Sequence, residues 1–210
     1  MPEASSEAGS IFVVDDDPGV RQLLSVLFSR EGFAVVCFAD GASLMAALRT
    51  QAPACIILDV YLPDKSGLDI LKELNARGYI APVFIVSGKG DIAKAVEAIK
   101  SGALDFIEKP FRGSDVVSIV RDAIAADRRL KQNEPAAARA SFHFPNREPL
   151  TRREQDVLAL LVNGATNKEA GQELGISHRT IEIHRARVME KLGAKTAADL
   201  VRIALSENRR

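Results

Sequence analysis

The chain is 210 residues long, with 28 Lys+Arg balanced by 28 Asp+Glu. That length accommodates one large domain or two small ones, each able to bury a core. No apolar run approaches the roughly 20 residues needed to span a bilayer. Residues 1–10 are polar and acidic, without the basic and apolar regions of a signal peptide, so a cytoplasmic chain is expected.

The neutral total is made of two unequal halves. Residues 1–127 carry 12 Lys+Arg against 18 Asp+Glu, a balance of −6, and residues 128–210 carry 16 against 10, a balance of +6. An acidic half suits a cation or a switched charge, and a basic half suits a polyanion such as nucleic acid. Cys37 and Cys55 lie in apolar runs without metal-ligand spacing, and both are expected to be buried, reduced thiols.

Ile11–Val14 reads as a strand ending at Asp15-Asp16-Asp17, and Asp17-Pro18 starts a helix to about Glu31. Ala34–Phe38 is a second strand, and Asp40 caps a helix through Arg49. Cys55–Asp59 is an apolar run ending in a carboxylate, the pattern of a strand covered on both faces. Ser66 begins a third helix, Pro82–Val86 a fourth strand, Asp91 a fourth helix, Asp105–Glu108 a fifth strand and Ser114 a fifth helix. Five strands alternating with five helices predict a parallel, doubly wound α/β sheet.

In such a sheet every strand runs the same way, so all carboxyl ends share one edge, where ligands bind. That edge collects Asp15, Asp16, Asp59, Ser87 and Lys109. Singly, each residue reads equally well as a turn or cap former. Together, three carboxylates repel one another unless a hard cation such as Mg²⁺ offsets their charge. With a lysine and a hydroxyl alongside, the set suits phosphoryl transfer to an aspartate.

Val13-Val14-Asp15-Asp16, Leu58-Asp59-Val60-Tyr61-Leu62-Pro63-Asp64 with Gly67, Ser87-Gly88 and Lys109-Pro110-Phe111 resemble a response-regulator receiver domain over about residues 10–127. The resemblance implies a flavodoxin-like strand order 2-1-3-4-5. By the same resemblance Asp59 is the phosphoacceptor, Asp15, Asp16, Asp59 and the Tyr61 backbone carbonyl hold Mg²⁺, Ser87 is the switch hydroxyl, Lys109 contacts the phosphoryl group and Phe106 is the switch aromatic. A competing motif, Gly88-Lys89-Gly90-Asp91-Ile92-Ala93, mimics a dinucleotide fingerprint. It follows the fourth strand instead of the first and leaves the carboxylates unexplained.

Residues 1–9 are expected to be disordered, and residues 128–147 read as an Ala-rich, charged linker in which the fifth helix runs on to about Gln132. Phe142 and Phe144, its sizeable apolar groups, are expected to dock on a domain surface. Thr151-Arg152-Arg153-Glu154 is a capping box, Asn167 is read as capping a short helix through Leu174, and Gly175 turns the chain. Ser177 then caps a longer helix to about Leu192, and Thr196 with Asp199 starts a last one. Short helix, glycine turn, longer helix is the helix-turn-helix plan. On the longer helix Ile181, Val188 and Leu192 form an apolar stripe, while Arg179, Glu182, Ile183, Ala186, Arg187 and Glu190 face away from it.

Leu150–Glu154, Asn167-Lys168-Glu169-Ala170, Gly175-Ile176-Ser177 and Arg179–Arg185 resemble the all-α, four-helix LuxR-type DNA-binding domain of FixJ- and NarL-like regulators, within residues 148–210. The resemblance implies that Glu182, Ile183 and Ala186 face bases, and that Asn167, Lys168, Arg179, Thr180, His184 and Arg187 serve the backbone or groove edge. Leu200 and Ile203 on the last helix are either a dimer seam or core. The whole reads as a transcriptional response regulator with a sensor histidine kinase, double-stranded DNA and RNA polymerase as partners, and a homodimer on phosphorylation through the fourth helix, fifth strand and fifth helix. Two other readings are an aspartyl-phosphate phosphohydrolase, which ordinarily wants an acid where Tyr61 stands, and a phosphorelay intermediate with a protein-binding output domain.

Overall fold

The computed structural model describes residues 9–88, 90–133, 142–145 and 147–207. Its first domain comprises β1 (Ser10–Val14), α1 (Pro18–Arg30), β2 (Ala34–Phe38), α2 (Gly41–Ala47), β3 (Cys55–Asp59), α3 (Gly67–Ala76), β4 (Val83–Ser87), α4 (Ile92–Lys100), β5 (Asp105–Glu108) and α5 (Gly113–Asn133). The strands pair in parallel in the order β2-β1-β3-β4-β5, as expected. Alternate side chains of the central strands feed two cores. Ile11, Val13, Ile57, Phe84 and Val86 pack on one face with α1 and α5, and Phe12, Val14, Ile56, Leu58 and Ile85 pack on the other with α3 and α4.

The edge strand β2 is the exception to a sheet covered throughout. Cys37 is exposed there, against expectation, because among the described residues no strand pairs beyond it and its face is incompletely covered. Cys55 is fully buried.

α5 continues through residue 133, into the segment read as linker. The expectation for residues 1–8 lies outside the described residues. Phe142 and Phe144 stack with their centroids 6.1 Å apart and are buried in the second domain's core with Leu158, Val188 and Leu200. That domain comprises α6 (Arg152–Val162), α7 (Asn167–Leu174), α8 (His178–Leu192) and α9 (Ala197–Glu207). Its caps follow the sequence reading with one change. Thr166, not Asn167, caps α7, because Thr166 and Glu169 form a reciprocal capping box that leaves Asn167 in the first turn. Leu200 and Ile203 are buried core residues.

The two domains are packed together. Ile176 contributes to the cores of both, and Ile183 packs against the α3/α4-side core of the first. Gly175 has a left-handed φ of +67°, and a Cβ there would lie 2.8 Å from the backbone of Asp122 on α5. Only glycine satisfies both the turn and this close approach. Arg153 and Asp127 add an ion pair at 3.7 Å between α6 and α5, both largely buried.

Candidate functional site

The carboxyl edge of the sheet brings Asp15, Asp59, Ser87 and Lys109 together. Asp15 and Asp59 are 1% and 3% exposed. Lys109 Nζ lies 2.7 Å from Asp15 Oδ2 and 2.7 Å from Asp59 Oδ1, so one ammonium bridges both carboxylates. The Tyr61 amide donates to Asp59 Oδ2 at 2.7 Å, and the Asp17 amide to Asp15 Oδ1 at 3.0 Å. Burial pushes the Asp59 carboxyl above its ordinary range, with Lys109 acting against it. Burial also pulls on Lys109, but its bonds to the two aspartates outweigh this and raise its pKa.

The expected cluster of three carboxylates is only partly assembled. Asp16 is exposed at the rim, and among the described residues no three His, Cys, Asp or Glu side chains gather into a metal-holding group. Lys109 offsets the two buried charges. The donors are all hard oxygens, which fit a Mg²⁺ that keeps several of its waters.

The loop after β3 is fixed from two sides. The Gly67 amide donates to the Val60 carbonyl at 2.9 Å, and a Cβ on Gly67 would fall 2.0 Å from the Asp59 carbonyl oxygen. Asp64 accepts from the amides of Gly41 and Ala42 at 3.0 and 2.9 Å, and those bonds hold its carboxyl below the ordinary range. Tyr61 is half exposed at the mouth. Its hydroxyl donates to Asp91 Oδ2 at 2.8 Å, and Lys94 Nζ stands 3.8 Å from its ring centroid. Asp91, read from sequence as the cap of α4, is thereby turned away and makes no capping bond.

Ser87 is 2% exposed at the end of β4. It lines a cavity of about 160 Å³ with Phe106, Glu108, and Arg179 and Ile183 of α8. Phe106 is half-buried and packs against the same core as Ile183. Lys89, part of the dinucleotide-like motif, lies outside the described residues.

The residues of the second domain that were singled out from the sequence divide into two sets. Glu182, Ala186, Arg179 and Lys168 are exposed. Arg187 pairs with Glu148 at 2.7 Å and Glu190 at 2.9 Å, and Asn167 Oδ1 accepts from Arg185 at 3.3 Å. Thr180, Ile183 and His184 instead face the first domain. Thr180 is 1% exposed, and its hydroxyl donates to Asp105 Oδ1 at 2.8 Å. His184 is 1% exposed and neither ring nitrogen has a hydrogen bond of good geometry. Burial holds its imidazole down at about 4, the Leu104 backbone facing it acts the other way, and Arg153 adds a smaller push downward.

Asp105 and Lys94 were not singled out from the sequence, and Asp91 was read there only as a helix cap and part of the dinucleotide-like motif. A buried acid on an edge strand is recognisable only once its partner from the other domain is in place.

Residues 11–121 match the response regulator receiver domain family, and residues 148–204 match the luxR family of bacterial regulatory proteins. The transcriptional regulatory protein FixJ of Azorhizobium caulinodans is 40% identical over 205 residues, covering 98% of this chain and 94% of that protein. The response regulator protein TodT of Pseudomonas putida is 38% identical over 199 residues, 95% of this chain and 86% of its own. Among solved structures, full-length FixJ from B. japonicum has a TM-score of 0.56 at 35% identity, covering 96% of this chain and 98% of that one. The response regulator StyR has a TM-score of 0.53 at 31% identity, covering 94% and 98%. The chain therefore belongs to the response regulators that join a receiver domain to a LuxR-type DNA-binding domain.

Proposed function

We propose that Asp59 accepts a phosphoryl group from a sensor histidine kinase and that this releases α8 from the receiver to bind DNA. The Asp59 carboxylate is the nucleophile, Lys109 neutralises charge on the transferring group, and Ser87 contacts its oxygens afterwards. Asp15, Asp59, Asp16 and the Tyr61 carbonyl would hold Mg²⁺, which when bound supplies further neutralisation of the phosphoryl oxygens.

The observation that carries this reading is the shared cavity of Ser87, Phe106 and Ile183. A hydroxyl drawn toward a phosphoryl group on Asp59 frees space beside Phe106. The ring turning into that space disturbs the surface on which Ile183 rests. Thr180, Ile183 and His184 are covered by the receiver, so α8 in this arrangement cannot enter a major groove. This is a closed form, and phosphorylation biases the chain toward an open one.

The face that α8 covers includes α4 and β5, the surface expected to form the phosphorylated homodimer. Release and dimerisation therefore exclude the closed form jointly. RNA polymerase is the further partner that a transcriptional regulator of this kind implies.

The test is DNA binding with and without a phosphodonor and Mg²⁺, using duplexes selected from a random pool. Wild type gains affinity on phosphorylation and Asp59→Asn does not. Equal affinity in both states of the wild-type chain contradicts the reading.

A further inference from the structure

The start of α8 is held by an acid from the receiver. Asp105 is 7% exposed and its Oδ1 accepts from the Thr180 hydroxyl at 2.8 Å and from the Phe106 amide at 2.8 Å. The Ser177 backbone amide also favours the charged carboxylate, and Ser177 Oγ lies 2.7 Å from Thr180 Oγ1. One carboxylate thus meets a hydroxyl and an amide at the amino end of a fifteen-residue helix.

Those donors are of a familiar kind for nucleic acid. Serine and threonine hydroxyls, backbone amides and helix amino ends are what proteins offer to DNA phosphates to fix register on the duplex. A carboxylate and a phosphate monoanion present the same charge and the same acceptor oxygens to them.

We propose that Asp105 is an internal phosphate surrogate, occupying in the closed chain the Thr180 and Ser177 donors that a DNA backbone phosphate takes in the open one. The inference rests on the reading of α8 as the DNA-contacting helix. It adds that receiver and DNA compete for the same atoms, so closure is exclusive by chemistry as well as by bulk. The contact is also releasable. Burial pushes the Asp105 carboxyl up, so its desolvation works against closure and the donors only partly offset that cost. Its bond to the Phe106 amide links it to the next residue of β5, the switch aromatic itself.

The experiment measures binding of the full chain to a short random-sequence duplex, with and without a phosphodonor and Mg²⁺, for wild type, Asp105→Ala, Asp105→Asn and Thr180→Val. Without phosphodonor, Asp105→Ala binds about tenfold more tightly than wild type, the worth of one charge-assisted hydrogen bond, and Asp105→Asn falls between them. With phosphodonor, both Asp105 variants match wild type, whereas Thr180→Val binds several-fold more weakly because it lacks the donor that DNA uses. A circular-dichroism spectrum and thermal melt like those of wild type establish that each variant is folded. Unchanged affinity of both unphosphorylated Asp105 variants overturns the proposal. So does a phosphorylated Thr180→Val chain that binds like wild type, which would leave the contact a clamp with no counterpart on DNA. A phosphorylated wild-type chain that binds no duplex overturns the DNA reading itself, a result distinct from either.

Discussion

Phe106 of the receiver and Ile183 of α8 line one cavity of about 160 Å³ and pack against one core, so the expected switch ring and an expected base-reading side chain are neighbours across the domain boundary. Ile183 is half-buried, and truncating it to alanine costs the closed form about 1 kcal/mol of apolar burial. The unphosphorylated Ile183→Ala chain should therefore populate the open form more, read as a larger radius of gyration by small-angle scattering. An unchanged radius contradicts the contact's role.

Gly67 lies against the backbone of the phosphoacceptor. Because a Cβ would meet the Asp59 carbonyl oxygen at 2.0 Å, Gly67→Ala must displace the loop after β3. A loss of about 2 kcal/mol in stability is expected. Phosphoryl uptake from a small phosphodonor should fall more than thermal stability accounts for, because the displaced atoms belong to Asp59 itself.

Glu154 does two jobs in the second domain. It closes the capping box with Thr151 and pairs with Lys191 at 2.8 Å, where both side chains are almost wholly buried. Glu154→Ala removes the nearer carboxylate of the buried Lys191 ammonium, which keeps Glu148 at 3.4 Å and the Pro149 carbonyl at 3.0 Å, and opens the capping box, at a combined cost of about 3 kcal/mol. Thermal unfolding followed by circular dichroism should show the second domain melting earlier, with Asp59 still phosphorylated at wild-type rate below that transition.

His184 makes closure sensitive to acid. Its imidazole is held at about 4 in the closed form, against an ordinary value near 6.5. A depressed histidine is buried neutral, so its contribution is fully present above the ordinary value and is lost as pH falls from there toward 4. Asp105, whose pKa is raised on burial, acts in the opposite sense. The His184 ring resonances in the unphosphorylated chain should show no titration near 6.5, and a midpoint there contradicts the burial.

The phosphoacceptor pocket was legible in the sequence because a parallel α/β sheet delivers every strand's last residue to one edge. Asp15, Asp59, Ser87 and Lys109 could be placed together from strand ends alone. Asp16, one step beyond β1, lies exposed at the rim of that pocket. Side chains that end two contacts at once were harder. Asp91 reads as a helix cap until Tyr61 and Lys94 are beside it, and Cys37 reads as buried until β2 is known to be an edge. The docking of α8 was not legible, because Thr180, Ile183 and His184 have the same spacing whether they face DNA or the receiver. Only the meeting of β5 with α8 distinguishes these.

The central claim is that a phosphoryl group on Asp59 frees α8 from the receiver. Hydrogen exchange of the α8 side chain-bearing turn Ser177–His184 and of β5, followed in the full chain before and after adding a phosphodonor with Mg²⁺, tests it most directly. Protection in both segments should fall together in wild type and stay unchanged in Asp59→Asn. Protection that survives phosphorylation while DNA affinity rises would contradict the account.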